Sequence, residues 1–468
     1  MDRDDLAYTP ALEQAAMVRR REVSPVELVG CYLDRIAAYD ERYHSYLTVA
    51  ADQALEAARQ AEAAVGSDGL PPFHGVPISI KDLIDTAGIR TTRGTRVGVD
   101  RVPAADAEVV TRVKQAGFIV LGKTNTPEFG MQAVTEPPGY PWAHNPWDPE
   151  RTPGGSSGGA GAALAAGFCP VAVGSDGGGS IRIPSSLSGV VGIKTTRGRV
   201  SFAPQPNHLF AVIGPMARTF GDAAALLDVM AGYATGDAWW LPPPATPFAA
   251  EAGRPPGSLR IGATDRPFVD GVETEGPPRA GWEEACALLE GLGHRVERAS
   301  PEWDSAITFL AAPAYGADMA AWPDLPPLDT LHPQTRQIVE LGRASDGPTV
   351  MGSLAAVFRL ARRTLAFWET YDVLVTPTVA ITAPRVGEFQ DPEANPAGVF
   401  RYIALAAFTS PFNLTGQPAM NVPMGLDADG LPRGVQLVGR AGDEAMLIRL
   451  AAQMEAAHPW AGLRPPVG

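Results

Sequence analysis

Two glycine- and serine-rich stretches, TPGGSSGGAGAAL (152–164) and GSDGGGSIRIPSS (174–186), and a lysine inside an apolar run, GVPISIKDLID (75–85), hold the residue types needed for acyl transfer. In the second stretch the strand-like FCPVAV runs straight into Asp-Gly-Gly-Gly-Ser, with a helix expected beyond it. That geometry converges the free N–H groups of Gly177, Gly178, Gly179 and Ser180 near one hydroxyl, which suits a developing oxyanion. Ser180 is therefore the candidate nucleophile. A serine needs a base, and Lys81 is the candidate. On a strand, Ile78, Ile80 and Asp82 share one face while Ser79 and Lys81 share the other, so Asp82 points away from the ammonium. An ordinary lysine, with a pKa near 10.4, has only about one molecule in a thousand neutral at neutral pH. Burial without a counter-ion lowers that pKa toward a usable base.

Three look-alike motifs lead elsewhere and fail on context. GFIVLGKT (117–124) spells a phosphate-binding loop, but its four variable positions are apolar and partly β-branched. They predict a buried strand ending at Gly122 with Lys123 at its mouth, not a loop that curls around phosphate. GGSSG (154–158) spells a hydrolase nucleophile elbow, yet the polar, proline-rich HNPWDPERTP precedes it where a strand is required. No serine lies three residues before any of the four lysines, Lys81, Lys114, Lys123 and Lys194, so a Ser-x-x-Lys motif is absent.

The elements that must position these residues read as an alternation. Residues 10 to 65 carry helical spacing, with Ser24 as cap and Pro25 in the first turn. GVPISIKDLID, GFIVLGKT and FCPVAVGSD then read as strands, and AEVVTRVKQAG and SGGAGAALAAG as helices. The proline- and alanine-rich segment from Trp239 to Gly257 leaves this block. A β-α unit follows (SLRIGA, then GWEEACALLEGLGHRVE), then a helix from about Val350 to Tyr371 and the strand VLVTPTV. AMNVPMGL and GVQLVG form a hairpin about Asp429-Gly430, before a last helix to about Ala457.

The chain has 468 residues, 45% of them hydrophobic, enough for a large buried core. A formal net charge of −14 argues against nucleic-acid or anionic-membrane surfaces, which need clustered cations. Three scattered cysteines suit neither disulfides nor a zinc site and point to a reducing cytoplasm. The uncharged run from Pro153 to Ser175 is long enough to span a membrane, but its Gly, Ser and Pro content predicts a packed helix followed by a strand.

Taken together, K-D at 81–82, GKTN at 122–125, GGSSGG at 154–159, GSDGGGSIRIP at 174–184 and GVVGIK at 189–194 resemble the amidase signature family. GPMARTFGDAAALLDVMAG (214–232) and the blocks at 413–439 fit its later motifs, so the likeness covers most of the chain. It implies an α/β fold, a large mixed central sheet covered by helices on both faces, as a single domain over 1–468. Within it, 1–65 are N-terminal helices, 66–232 the catalytic core, 233–400 a variable substrate-side region and 401–468 a return to the core. It further implies a Ser–cis-Ser–Lys triad, with Ser180 as nucleophile, Ser156 as bridge across a cis Gly155–Ser156 peptide, and Lys81 as base. Ser157, Asp176 and Arg182 look like the residues that hold the glycine loops. Gly130, Met131 and Gln132 resemble an acyl-pocket wall. No cofactor or metal is implied, and the partner expected is a small-molecule amide or carbamate, acted on by a cytoplasmic monomer or homodimer.

Two departures refine the expectation. Thr195 stands where the family commonly has proline, to which no functional meaning attaches. The approach to Asn413 reads LAAFTSPFN, where amidotransferase A subunits carry an acid that holds the glutamine amine. A stand-alone amidase is thus preferred over an amidotransferase subunit, and the intact Lys81, Ser156 and Ser180 over a non-catalytic receptor-like relative. Phe408, Pro411 and Phe412, with the Trp239-Trp240 pair, suggest a hydrophobic aryl or alkyl amide, or alternatively core packing.

Overall fold

The computed structural model describes residues 2–205, 208–322, 325–390 and 396–467. In chain order its strands are β1 (Tyr46–Val49), β2 (Pro77–Lys81), β3 (Ile119–Thr124), β4 (Val171–Asp176), β5 (Val191–Lys194), β6 (Val212–Ala217), β7 (Arg260–Ala263), β8 (Arg295–Arg298), β9 (Val373–Pro377), β10 (Ala419–Leu426) and β11 (Pro432–Val438). They join one sheet in the order β1-β3-β2-β4-β6-β5-β10-β11-β9-β7-β8. β2 runs parallel to β3 and β4, and β7 to β8 and β9, while the other neighbours are antiparallel. The sheet is mixed, as expected.

Alternate residues along its strands enter two separate apolar layers. Ile78, Ile80, Val120, Val171 and Val173 fill one, and Ile119, Leu121 and Ala172 the other. Strands buried on both sides read as continuous apolar runs, and helices supply both covers. The helices Phe220–Met230 and Glu444–Ala457 pack in the first layer, Pro25–Tyr43 and Gly158–Ala165 in the second.

Local chemistry accounts for several of these elements. Helix Pro25–Tyr43 starts on a complete capping box: Ser24 Oγ accepts from the Glu27 N–H, and the Glu27 carboxylate accepts from the Ser24 N–H. Helix Gly158–Ala165 is buried throughout, which is affordable because all but Leu164 are glycine or alanine. A Cβ on Gly159 would lie 2.3 Å from the Asn125 nitrogen of the crossing chain. The hairpin forms as expected, pairing Met420 with Leu437 and Val422 with Val435. The predicted long helix runs Gly347–Leu365 and tightens into a 3₁₀ turn at Ala366–Glu369.

The structure differs from expectation in three places. Residues 10–65 are not all helical, because Tyr46–Val49 forms the edge strand beside β3. The proline-rich Trp239–Gly257 connection contains a short helix, Phe248–Glu251. The strand in GFIVLGKT continues past Gly122, since pairing with β1 on one side and β2 on the other reaches Thr124. Lys123 is consequently not at a mouth but fully buried, donating to the Ile84 carbonyl and to the hydroxyls of Thr86 (3.1 Å) and Thr91 (2.9 Å). Burial lowers its pKa to about 8, with Asp82 and Asp85 pulling the other way. It pins the loop that follows β2. Replacing it by methionine removes three buried hydrogen bonds, and K123M is expected to lose about 3 kcal/mol of stability in denaturant titration. ATP should leave the melting temperature of the parent unchanged; a rise with ATP would restore the phosphate-loop reading.

Candidate active site

Lys81 closes β2, and Asp176 closes the parallel neighbour β4, so both side chains stand at the same edge of the sheet. Strand alternation turns Lys81 away from the layer that holds Ile78 and Ile80, as its spacing predicts. Asp82 is no counter-ion to it: that carboxylate accepts from the Thr92 N–H at 2.9 Å and the Thr92 hydroxyl at 2.5 Å. The Lys81 Nζ is fully buried and bonds to Ser156 Oγ at 2.7 Å, Ser175 Oγ at 3.0 Å and the Ser175 carbonyl at 3.4 Å. Burial lowers its pKa to about 7, against a smaller upward pull from Asp176. Ser175 was not singled out from the sequence, although it directly precedes Asp176 on β4.

Ser156 enters through a cis peptide after Gly155 and is buried. Thr135 braces its loop, its Oγ1 donating to the Gly154 carbonyl and accepting from the Gly158 N–H. Ser157 ties the two glycine-rich loops together. Its N–H donates to the Ser180 carbonyl at 3.0 Å, and its hydroxyl donates to the Ser175 carbonyl at 3.2 Å. The loop carrying Ser180 is clamped by a buried ion pair between Asp176 and Arg182 at 2.9 Å. Burial alone would raise the Asp176 carboxyl, but the Arg182 guanidinium and the Asn413 amide hold it well below the usual range. Arg182 also reaches Asn413, Gln436 and the Thr409 carbonyl.

This clamp corrects one expectation. The Gly179 N–H is already given to Asp176 Oδ1, at 2.7 Å, and is not free to meet a ligand. Among the described residues the N–H groups of Gly177, Gly178 and Ser180 make no hydrogen bond. Gly179 has another duty: its φ is +135°, and a Cβ there would sit 2.2 Å from Thr409 Oγ1, which donates to the Gly178 carbonyl.

Ser180 opens into two cavities, with empty volumes of about 790 and 980 Å³. Gly130 and Met131 line both, and Gln132 lines the second, its amide donating to His332 and Gln334. A Cβ on Gly130 would come within 3.2 Å of Ser156 Oγ and 2.7 Å of Leu83. The aromatic residues expected at the approach lie elsewhere. Phe408 and Phe412 are wholly buried in the core, because their helical segment turns Ala406, Ser410 and Leu414 to the cavity instead. Trp239 and Trp240 are surface residues beside Tyr233 and Gly198. No group of three or more potential metal ligands is found among the described residues, and no helix there is long and apolar enough to cross a membrane.

Known proteins share this architecture and sequence. The Amidase family profile matches residues 27–448. AmiB2 of Mycobacterium tuberculosis (strain ATCC 25618 / H37Rv), named as an amidase, is 40% identical over 100% of both chains. The 6-aminohexanoate-cyclic-dimer hydrolase of Paenarthrobacter ureafaciens is 36% identical over 99% of this chain and 98% of its own. A solved structure of 6-aminohexanoate cyclic dimer hydrolase superposes with a TM-score of 0.91 at 34% identity, covering 98% of this chain and 99% of that one. Family match, overall fold and matched length agree, and the chain belongs to the amidase signature family of amide hydrolases.

Proposed function

We propose that this amidase cleaves its substrate through an acyl-enzyme on Ser180, with Ser156 as proton bridge and Lys81 as base. The observation that carries this reading is the Lys81–Ser156 contact of 2.7 Å made by a lysine that burial brings to a pKa of about 7. At neutral pH about half of Lys81 is then unprotonated, against about one in a thousand for an exposed lysine, a gain of several hundredfold.

The neutral Nζ takes the Ser156 proton as Ser156 Oγ takes that of Ser180, and Ser180 Oγ bonds to the substrate carbonyl carbon. The carbonyl electrons move onto oxygen, where the N–H groups of Gly177, Gly178 and Ser180 receive the charge. Removing one such donor typically costs about 10²–10³ in rate. Ser156 then protonates the departing nitrogen and recovers a proton from Lys81, and the C–N bond breaks. Water, deprotonated by the same relay, hydrolyses the ester. Gly177 is expected to act beside its neighbours while Gly179 holds the loop.

The apolar walls around Ser180, including Phe129, Phe210, Met131 and Tyr315, favour a hydrophobic aryl or alkyl amide. Similarity to the cyclic-dimer hydrolase extends the range to compact or cyclic alkyl amides. Urethanes and esters follow as secondary substrates, since the acyl-transfer step is the same.

Exposure to a fluorophosphonate should give one covalent adduct by intact mass on the parent and none on Ser180→Ala. An adduct on S180A would remove Ser180 from its role. The lysine's part is read from pH. Because the neutral form is the active one, kcat/KM for a non-ionising anilide should rise tenfold per unit up to about pH 7 and level off above it. A rise that continues toward pH 10 would mean that burial does not set the Lys81 pKa.

A further inference from the structure

The relay distinguishes the two cavities that meet at Ser180. Ser156 must hand its proton to the leaving nitrogen, so the amine half of the substrate lies on the Ser156 side. Ser156 and Ser175 line the first cavity and not the second, whereas Gly178, a donor to the oxyanion, lines the second. The leaving amine therefore occupies the first cavity and the acyl half the second. This assignment rests on the acyl-transfer reading above.

The first cavity is aromatic, and its carboxylates share it with one imidazole, that of His208. Phe129, Phe202, Phe210 and Trp322 are among its walls, and among the described residues its carboxylates are Asp85 and Asp318, with no lysine or arginine lining it. Asp85 is already matched, by two Arg101 contacts at 2.7 and 2.6 Å and by Arg93 at 3.8 Å. Arg93 lies against the Trp322 ring, 5.6 Å from its centroid, and faces Asp85.

Asp318 differs. It projects from the helix Ala312–Ala320 with its side chain one-fifth exposed (20%). Its Oδ2 meets His208 Nδ1 at 3.2 Å, and its Oδ1 makes no hydrogen bond among the described residues. A carboxylate only accepts, so the hydrogen sits on Nδ1 and His208 donates it. The imidazole is itself held edge-on by Phe202 at 5.3 Å and against Trp322 at 5.0 Å between ring centroids. The result is an oriented carboxylate with an open acceptor, in an aromatic-walled cavity joined to the nucleophile. Both features attract an organic cation.

We propose that Asp318, oriented by His208, determines specificity for the leaving amine by binding a second, protonated amino group on that half of the substrate. The preferred class is then an amide of a diamine, or of another amine bearing an ammonium group, joined to an apolar acyl chain.

Binding to the S180A protein tests this without turnover. The probes are hexanoyl amides of diaminopropane through diaminohexane, each paired with the alkylamide in which methyl replaces the ammonium, titrated calorimetrically. At least one diamine amide should bind about tenfold more tightly than its methyl partner. Adding Asp318→Asn should abolish that preference and leave the neutral amide's affinity unchanged. No preference in S180A, or one that survives D318N, overturns the proposal. Equal weakening of both ligands also overturns it, since a merely structural Asp318 would act on both alike. Charge preference in S180A together with no adduct and no turnover in the parent would count against the acyl-transfer reading alone.

Discussion

Everything at this site depends on a lysine buried without a carboxylate against it. A charged ammonium among hydroxyls and carbonyls is poorly solvated, so the neutral form gains and the pKa drops. The fold achieves this by occupying the nearby acids elsewhere. Asp82, next in sequence, is turned by strand alternation toward Thr92 and the Lys123 side of the sheet. Asp176, at the end of the adjacent parallel strand, is neutralised by Arg182 and three further donors. Had either carboxylate paired with Lys81, the lysine would be an inert ion-pair partner, protonated well above neutral pH.

The Asp176–Arg182 pair has a second consequence for the backbone. Asp176 draws in the N–H groups of Gly179 and Ile181, and Arg182 ties the same loop to Asn413 in the short helix Pro411–Thr415 and to Gln436 on β11. Every strong donor and acceptor in the cluster is used, the condition under which a buried ion pair is tolerable. What remains unsatisfied is the set of N–H groups at Gly177, Gly178 and Ser180. The loop is thus clamped at Gly179 and Ile181 and keeps spare donors beside Ser180, an arrangement preorganised for the oxyanion proposed there.

Much of this was legible because strand periodicity and motif order are local. Period two in GVPISIKDLID was enough to separate Lys81 from Asp82, and the glycine loops announced themselves by following or preceding strong apolar elements. Three of the four lysines, Lys81, Lys123 and Lys194, are fully buried. What escaped depends on distant segments meeting. Ser175 becomes a partner of Lys81 only because β2 and β4 are neighbours, and Gly179 loses its donor role only because Asp176 curls back onto it. Phe408 and Phe412 were ambiguous between wall and core, since hydrophobicity alone does not say which side of a helix faces a cavity.

Chemistry and selection are consequently built from different parts of the chain. Lys81, Ser156, Ser175 and Ser180 sit at the edge of parallel strands whose both faces are packed, so their positions are fixed by the core. The walls opposite come from the helix Ala312–Ala320 and its ends, with Ala311, Ala312, Tyr315, Asp318, Met319 and Trp322 reaching the cavities. This segment packs on Phe129 and Met131 in a small apolar cluster of its own rather than in the layers of the sheet. Under the proposed mechanism, side chains there can change size or charge while the hydrogen bonds that hold Lys81 and Ser156, made to each other and to Ser175 on β4, stay in place. Under the proposed acyl-transfer reading, a scaffold divided in this way can keep one chemical step while varying the amines and acyl groups admitted to it.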